Sequence, residues 1–387
     1  MSLLDRLTFV GEEEGPPLTE KLLSINWVLV LLVTVVASIG FAMLYSAAQG
    51  SYDPWASRQM LRFGIGLCVL IVVALIDIRI WMRFAYVIYG ASFLMLVAVE
   101  VMGVVGMGAQ RWINLGFIRL QPSEVMKIAL VLALARYFHG ATLEDVGRPT
   151  RLILPIAMVL LPVGLVMRQP DLGTAMMLMM VAGGIFFIAG VRLWKFLVVI
   201  AMGAAAVPIG WSLLHEYQRN RILTFLDPER DPLGAGYHIL QSQIALGSGG
   251  VFGKGFMQGT QAHLNFLPER QTDFIFTMLA EEMGMVGGLT LLLLFVVVIL
   301  YGVVIGLRSR THFGRILAVG LSFNLFLYVF INVAMVMGLI PVVGVPLPLI
   351  SYGGTVMLSA MAGFGFIICV YVHRDVRIPR RGLQSDL

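Results

Sequence analysis

The chain has 387 residues, of which 59% are hydrophobic and only 13% charged, with a net charge of +5 and a mean hydropathy of +0.89. Such values exclude a water-soluble globular chain and describe a polytopic membrane protein. The basic sequence pI of about 9.3 fits loops that face anionic membrane lipid and calls for no nucleic acid.

Residues 1–24 form a mixed-charge N-terminal tail without the short apolar core and cleavage site of a signal peptide, so the first apolar run should remain as a span. From there a single transmembrane domain is predicted over 25–372. Crossing about 30 Å of hydrocarbon takes about 20 residues. Runs of that kind occur near 25–48, 60–77, 82–102, 123–139, 152–168, 174–190, 196–214, 273–306, 316–337 and 354–372. The expectation is an all-α polytopic membrane protein with about ten transmembrane helices. The eighth, longer than the rest, should contain a partly buried entry turn and a protruding end. Arg79, Arg83, Arg136, Arg148, Arg151, Arg192, Lys195, Arg308, Arg310 and Arg315 fall in one set of short loops. The positive-inside rule puts those loops, both termini and the basic tail 373–387 in the cytoplasm. One large extracytoplasmic loop, about 215–272, joins helices 7 and 8. A connection so long is seldom structureless, and its short apolar patches suggest half-buried helices lying on the membrane surface. Cys68 and Cys369 sit inside apolar runs and read as small core residues.

Polar groups at the edges of the spans come next, because charge is costly in a membrane and rarely idle there. In GAQRWINLGFIRLQPSEVMK, Pro122 suits the first turn of span four, Glu124 suits its N-terminal dipole, and Lys127 lies at i+3 on the same face. The pair reads equally as an intrahelical ion pair or as part of a substrate site. Arg111 and Arg119, just before it, have the character of anion binders, although interfacial arginines also snorkel to headgroups. Asp171, in QPDLGTA, is a natural N-cap for span six. Asp273, in ERQTDFIF, stands where hydrophobic sequence begins, followed at once by Phe274, Ile275 and Phe276. Glu281 and Glu282, farther along the same helix, read as structural. GSGGVFGKG, residues 247–255, reads as turn-forming. His215, His238 and His263 in the long loop lack metal-ligand spacing. No metalloprotease, P-loop or nucleophile-elbow motif is present. What remains is an amphiphilic outer-face cavity bordered by Arg58, Arg111, Arg119, Lys127, Asp171, Lys254 and Asp273, suited to a phosphate or pyrophosphate beside a hydroxyl.

GAQRWINLGFIRLQPSEVMK, QPDLGTA, YQRNRILTFLDPERDPLGAGYHILQSQIALGSGG, GKGFMQGTQAHLNFLPERQTDFIFTMLAEEMG and LIPVVGVPLPLISYGG resemble, in order, the signatures of the shape, elongation, division and sporulation (SEDS) family of bacteria. The likeness covers the chain beyond its N-terminal tail. Its GTQ, ERQTDFIF and FLDPERDP wording is closer to the rod-shape branch than to the division branch. Leu246 and Thr355 replace an isoleucine and a serine common in the family. The resemblance implies a peptidoglycan glycosyltransferase that polymerises lipid II at the outer face of the bacterial inner membrane, for lateral elongation of the wall. It makes Asp273 the essential acid and matches Glu124, Lys127 and Asp171 to family motifs, with Arg58 and Arg119 at positions where basic residues are common. It further implies that Asp273 is the general base, and that Arg58, Arg119 and Lys127 hold the departing undecaprenyl pyrophosphate, alone or with a divalent cation, magnesium or manganese. The helix dipole is expected to keep Asp273 ionised and so weaken it as a base. The implied partners are a class B penicillin-binding protein transpeptidase and the elongation machinery. A lipid II flippase, a scaffold without activity and the division paralogue are the alternatives.

Overall fold

Ten long runs of apolar residues become ten long helices, six of them begun by a residue that satisfies a free backbone N–H group or by a proline that has none. The structure is a computed structural model describing residues 18–106, 109–114, 119–213, 216–227, 235–264, 266 and 269–379. Most of the two predicted terminal tails, and His215, lie outside those residues. The helices are α1 Trp27–Ala47, α2 Ala56–Leu75, α3 Ile78–Met102, α4 Pro122–Gly140, α5 Pro149–Arg168, α6 Leu172–Ile188, α7 Leu193–Leu213, α8 Ile275–Arg308, α9 His312–Val336 and α10 Gly354–Val372. Asn26, Asp77, Asp171 and Thr311 each accept a backbone N–H at the start of α1, α3, α6 and α9. Pro122 and Pro149 open α4 and α5, where a missing N–H costs nothing.

Seven of these helices (α1, α2, α3, α5, α8, α9 and α10) are long and apolar enough to cross a membrane by length and composition. The other three fall short for local reasons. α4 carries Glu124, Lys127 and Arg136, α6 has 17 residues, and the apolar part of α7 is Leu193–Pro208. α4 is nonetheless the most enclosed, buried on nearly every side, because α3, α9, α6 and α10 pack around it. α2 lies along α10, and α8 along α9.

One feature departs from the expected all-helical chain. Between α3 and α4 the backbone forms a three-stranded antiparallel sheet, β1 Val104–Gly106, β2 Ala109–Asn114 and β3 Arg119–Leu120, with Ile113 opposite Leu120 and Asn114 opposite Arg119. Once the chain has left α3 its N–H and C=O groups need new partners, and pairing strands supplies them. The connection between α7 and α8 holds short helices at Glu216–Leu226, Ala235–Ser248 and Thr260–His263.

α8 is broken at Gly284, whose φ of 68° and ψ of −167° are not helical. The freed backbone groups are taken up by the glycine-rich segment that was read as a turn. Lys254 and Gly255 donate N–H to the carbonyls of Glu281 and Glu282, while Met285 and Val286 donate to Gly250 and Val251. Such contact leaves no room for side chains: a Cβ on Gly253 would lie 2.1 Å from the Glu282 carbonyl. Below the break, Glu282 accepts from Ser46 of α1 at 2.5 Å and from the Met257 N–H at 3.1 Å. The segment and two helices thus form one fastened unit.

Candidate active site

A cavity of about 290 Å³ opens where α4, α6, α9, the turn before α8 and the segment before α10 meet. Its wall includes Arg111, Glu124, Lys127, Asp171 and Asp273 among the residues expected from sequence, and Glu269, Tyr328 and Tyr352 besides.

The deep side is built by α4 and α9. Lys127 Nζ lies 2.7 Å from Glu124 Oε1, and both residues are nearly inaccessible, at 2% and 3% exposure. The Tyr328 hydroxyl, from α9, donates to Glu124 Oε2 and receives a hydrogen bond from Lys127. The expected i+3 ion pair therefore exists, with a third member from another helix. A buried pair holds its charge only when its remaining hydrogen-bonding capacity is also met, and Tyr328 and Ser359 meet it. Behind this group a second cavity of about 30 Å³ is lined by Glu124, Tyr328, Asn324, Ser359 and apolar side chains.

The neighbouring wall is built by the turn before α6. Asp171 caps that helix, accepting the Thr174 N–H at 3.1 Å, and lies 3.7 Å from Arg111. Arg111 also donates to the carbonyls of Gln169 and Pro170, at 3.2 and 2.5 Å, so it pins the turn while facing the cavity. The N-cap reading of Asp171 and its place on the wall both hold.

Asp273 sits half-buried on the opposite wall, its carboxylate close to Gly344, while Phe274, Ile275 and Phe276 behind it are buried. Burial, and then the nearby Glu269 carboxylate, push its pKa up to about 6. This is the reverse of what the helix dipole alone would give. The end of a helix contributes a modest field, and withdrawal from water outweighs it here.

Three residues expected on the border lie elsewhere. Lys254 binds Glu281 at 2.7 Å and Thr260 at 2.8 Å beside the break in α8, an anchoring role. Glu281 and Glu282 are structural as read. Arg58 and Arg119 are exposed, in the first turn of α2 and at the start of β3, and do not line the cavity; the Arg119 carbonyl accepts from Thr355. Reading by sequence overlooked Tyr328 and Asn332, one turn apart in the apolar run of α9. Polar side chains at i and i+4 inside a span were the available signal.

The family model named FTSW_RODA_SPOVE, described as cell cycle protein, matches residues 20–376. The peptidoglycan glycosyltransferase MrdB of Escherichia coli K12 is 46% identical over 350 residues, covering 89% of this chain and 93% of that protein. A chain in a structure described as "Structural coordination of polymerization and crosslinking by a peptidoglycan synthase complex" aligns with a TM-score of 0.79 at 34% identity, covering 90% of this chain and 98% of that one. The rod shape determining protein RodA of Thermus thermophilus aligns with a TM-score of 0.69 at 29% identity, covering 91% and 98%.

Proposed function

The chain belongs to the FTSW_RODA_SPOVE family, and from that premise we propose how it works as a peptidoglycan glycosyltransferase of the cell-elongation type. All ten long helices cross the membrane, both termini lie in the cytoplasm, and the cavity opens to the extracytoplasmic face. The substrate is lipid II. Asp273 takes the proton from the 4-hydroxyl of an acceptor N-acetylglucosamine, and the oxygen attacks the anomeric carbon of a donor N-acetylmuramic acid. The bond from that carbon to the α-linked pyrophosphate breaks, a β-1,4 bond forms, and undecaprenyl pyrophosphate leaves. One base on the acceptor side and positive charge on the leaving side suffice for inversion.

Lys127 is the cation within the cavity and Arg111 the second on its wall. Arg58 and Arg119, exposed outside it, meet the substrate's phosphates before entry. Among the described residues no three of His, Cys, Asp or Glu converge, so a divalent cation would be held chiefly by the substrate's own pyrophosphate.

The observation that carries this reading is the placement of Asp273 and the Glu124–Lys127–Tyr328 group on walls of one cavity. Asp273→Asn keeps the shape and removes the base, so polymerisation of lipid II by the purified variant should fall by about 10²- to 10⁴-fold. A wild-type rate would overturn the assignment, and purified wild-type protein that makes no glycan without a partner would favour the flippase.

A further inference from the structure

The turn that carries Asp273 is tied down by its backbone. Three consecutive carbonyls each accept a donor from the chain that follows: Gln271 from the Tyr352 N–H at 2.8 Å, Thr272 from the Ser351 hydroxyl at 2.6 Å, and Asp273 from the Asn332 side chain at 3.0 Å. The other N–H of the Asn332 amide donates to the Val345 carbonyl at 2.8 Å. Ser351 in turn accepts the Leu347 N–H at 2.8 Å.

Asn332 thus spans two walls of the cavity. Asp273 lies on one, and the segment with Gly344, Val345 and Pro346 forms the other. Both of its partners are carbonyls, which fixes which end of the amide is nitrogen. Its Oδ1 is buried without a partner, and the residue has no exposed surface. A group kept in so unfavourable a place is held there by its two donated bonds. Four residues earlier on α9, about 6 Å along its axis, Tyr328 holds Glu124 and Lys127. A single rigid helix therefore references the proposed base to the ion pair.

We propose that Asn332 and Ser351 are positioning residues for the transfer reaction, clasping the turn that bears Asp273 to the segment before α10 and so setting the width of the acceptor gap. The proposal rests on Asp273 being the base. An acceptor hydroxyl must approach the carboxylate and the anomeric carbon together, and a displacement of about 1 Å is enough to cost about 10²-fold.

Asn332→Leu removes both donated bonds at similar volume, and Ser351→Ala removes the neighbouring one. Each is purified beside Asp273→Asn, its folded fraction measured by thermal unfolding in detergent, and its initial rates followed against lipid II concentration. Per folded molecule, kcat should fall about 10²-fold in Asn332→Leu and about 10-fold in Ser351→Ala, with KM changed by no more than about 3-fold. If Asn332→Leu does not fold, Ser351→Ala decides alone. A wild-type kcat per folded molecule in Ser351→Ala, or a raised KM with unchanged kcat, overturns the proposal. Should Asp273→Asn itself stay active, the assignment of the base fails instead, and the two failures are told apart in one experiment.

Discussion

As the proposed base, Asp273 has to meet two requirements that conflict. It must be charged at the working pH, yet basic enough to take a proton, and a pKa of about 6 meets both. The acidic limb of kcat/KM is expected near pH 6, with the rate falling about tenfold per unit below it as the carboxylate becomes protonated. Glu269→Gln removes the like charge beside it and should move that limb to lower pH. An unmoved limb would show that another group titrates. The sign for stability follows from the same shift. The folded state holds this proton more tightly than the unfolded chain, so stability is lost as pH rises from the ordinary carboxylate range through about 6. Asp273→Asn, neutral throughout, should be no less stable than wild type at neutral pH, which separates lost chemistry from lost structure.

α8 runs for 34 residues, about 51 Å at 1.5 Å per residue, while the hydrocarbon needs about 20 residues. Its first turns are free to stop following the rest, and Gly284 is where they do. Gly253→Ala, with φ at +81° and the Glu282 carbonyl in the way, should destabilise the protein by about 1–3 kcal/mol. Gly164→Ala in α5 meets nothing within 4 Å and should be near neutral or stabilising, so the two unfolding temperatures in detergent make the comparison. The ten long helices were legible, because a run of about 20 apolar residues has few other fates. So was the Glu124–Lys127 pair, whose spacing is local. Strand pairing over 104–120 was not, since it depends on partners across a turn. Nor was the place of Lys254: nothing in GSGGVFGKG says that its lysine reaches Glu281, 27 positions on. Local spacing is written in sequence, whereas closure between distant segments is a property of the packed bundle.

At the scale of the molecule, polymerisation is one half of a task. Nowhere does the sequence place a lysine three residues after a serine, the arrangement of a crosslinking transpeptidase. A single-span class B penicillin-binding protein is the expected partner, with the α7–α8 connection as the receiving segment because it ends at the turn bearing Asp273. Co-purification with a transpeptidase lacking its own active serine should give a stable complex and a changed polymerisation rate. No complex in detergent together with an unaltered rate would count against both. The Glu124–Lys127–Tyr328 group also has a bearing on traffic. Its Glu124 and Tyr328 line both the cavity of about 290 Å³ and the smaller one of about 30 Å³ beside it. A sugar headgroup crossing by that route would have to part a buried ion pair and leave each charge alone in the bundle. A flippase role for this cavity would therefore require the Glu124–Lys127–Tyr328 group to come apart and re-form with every headgroup that passes.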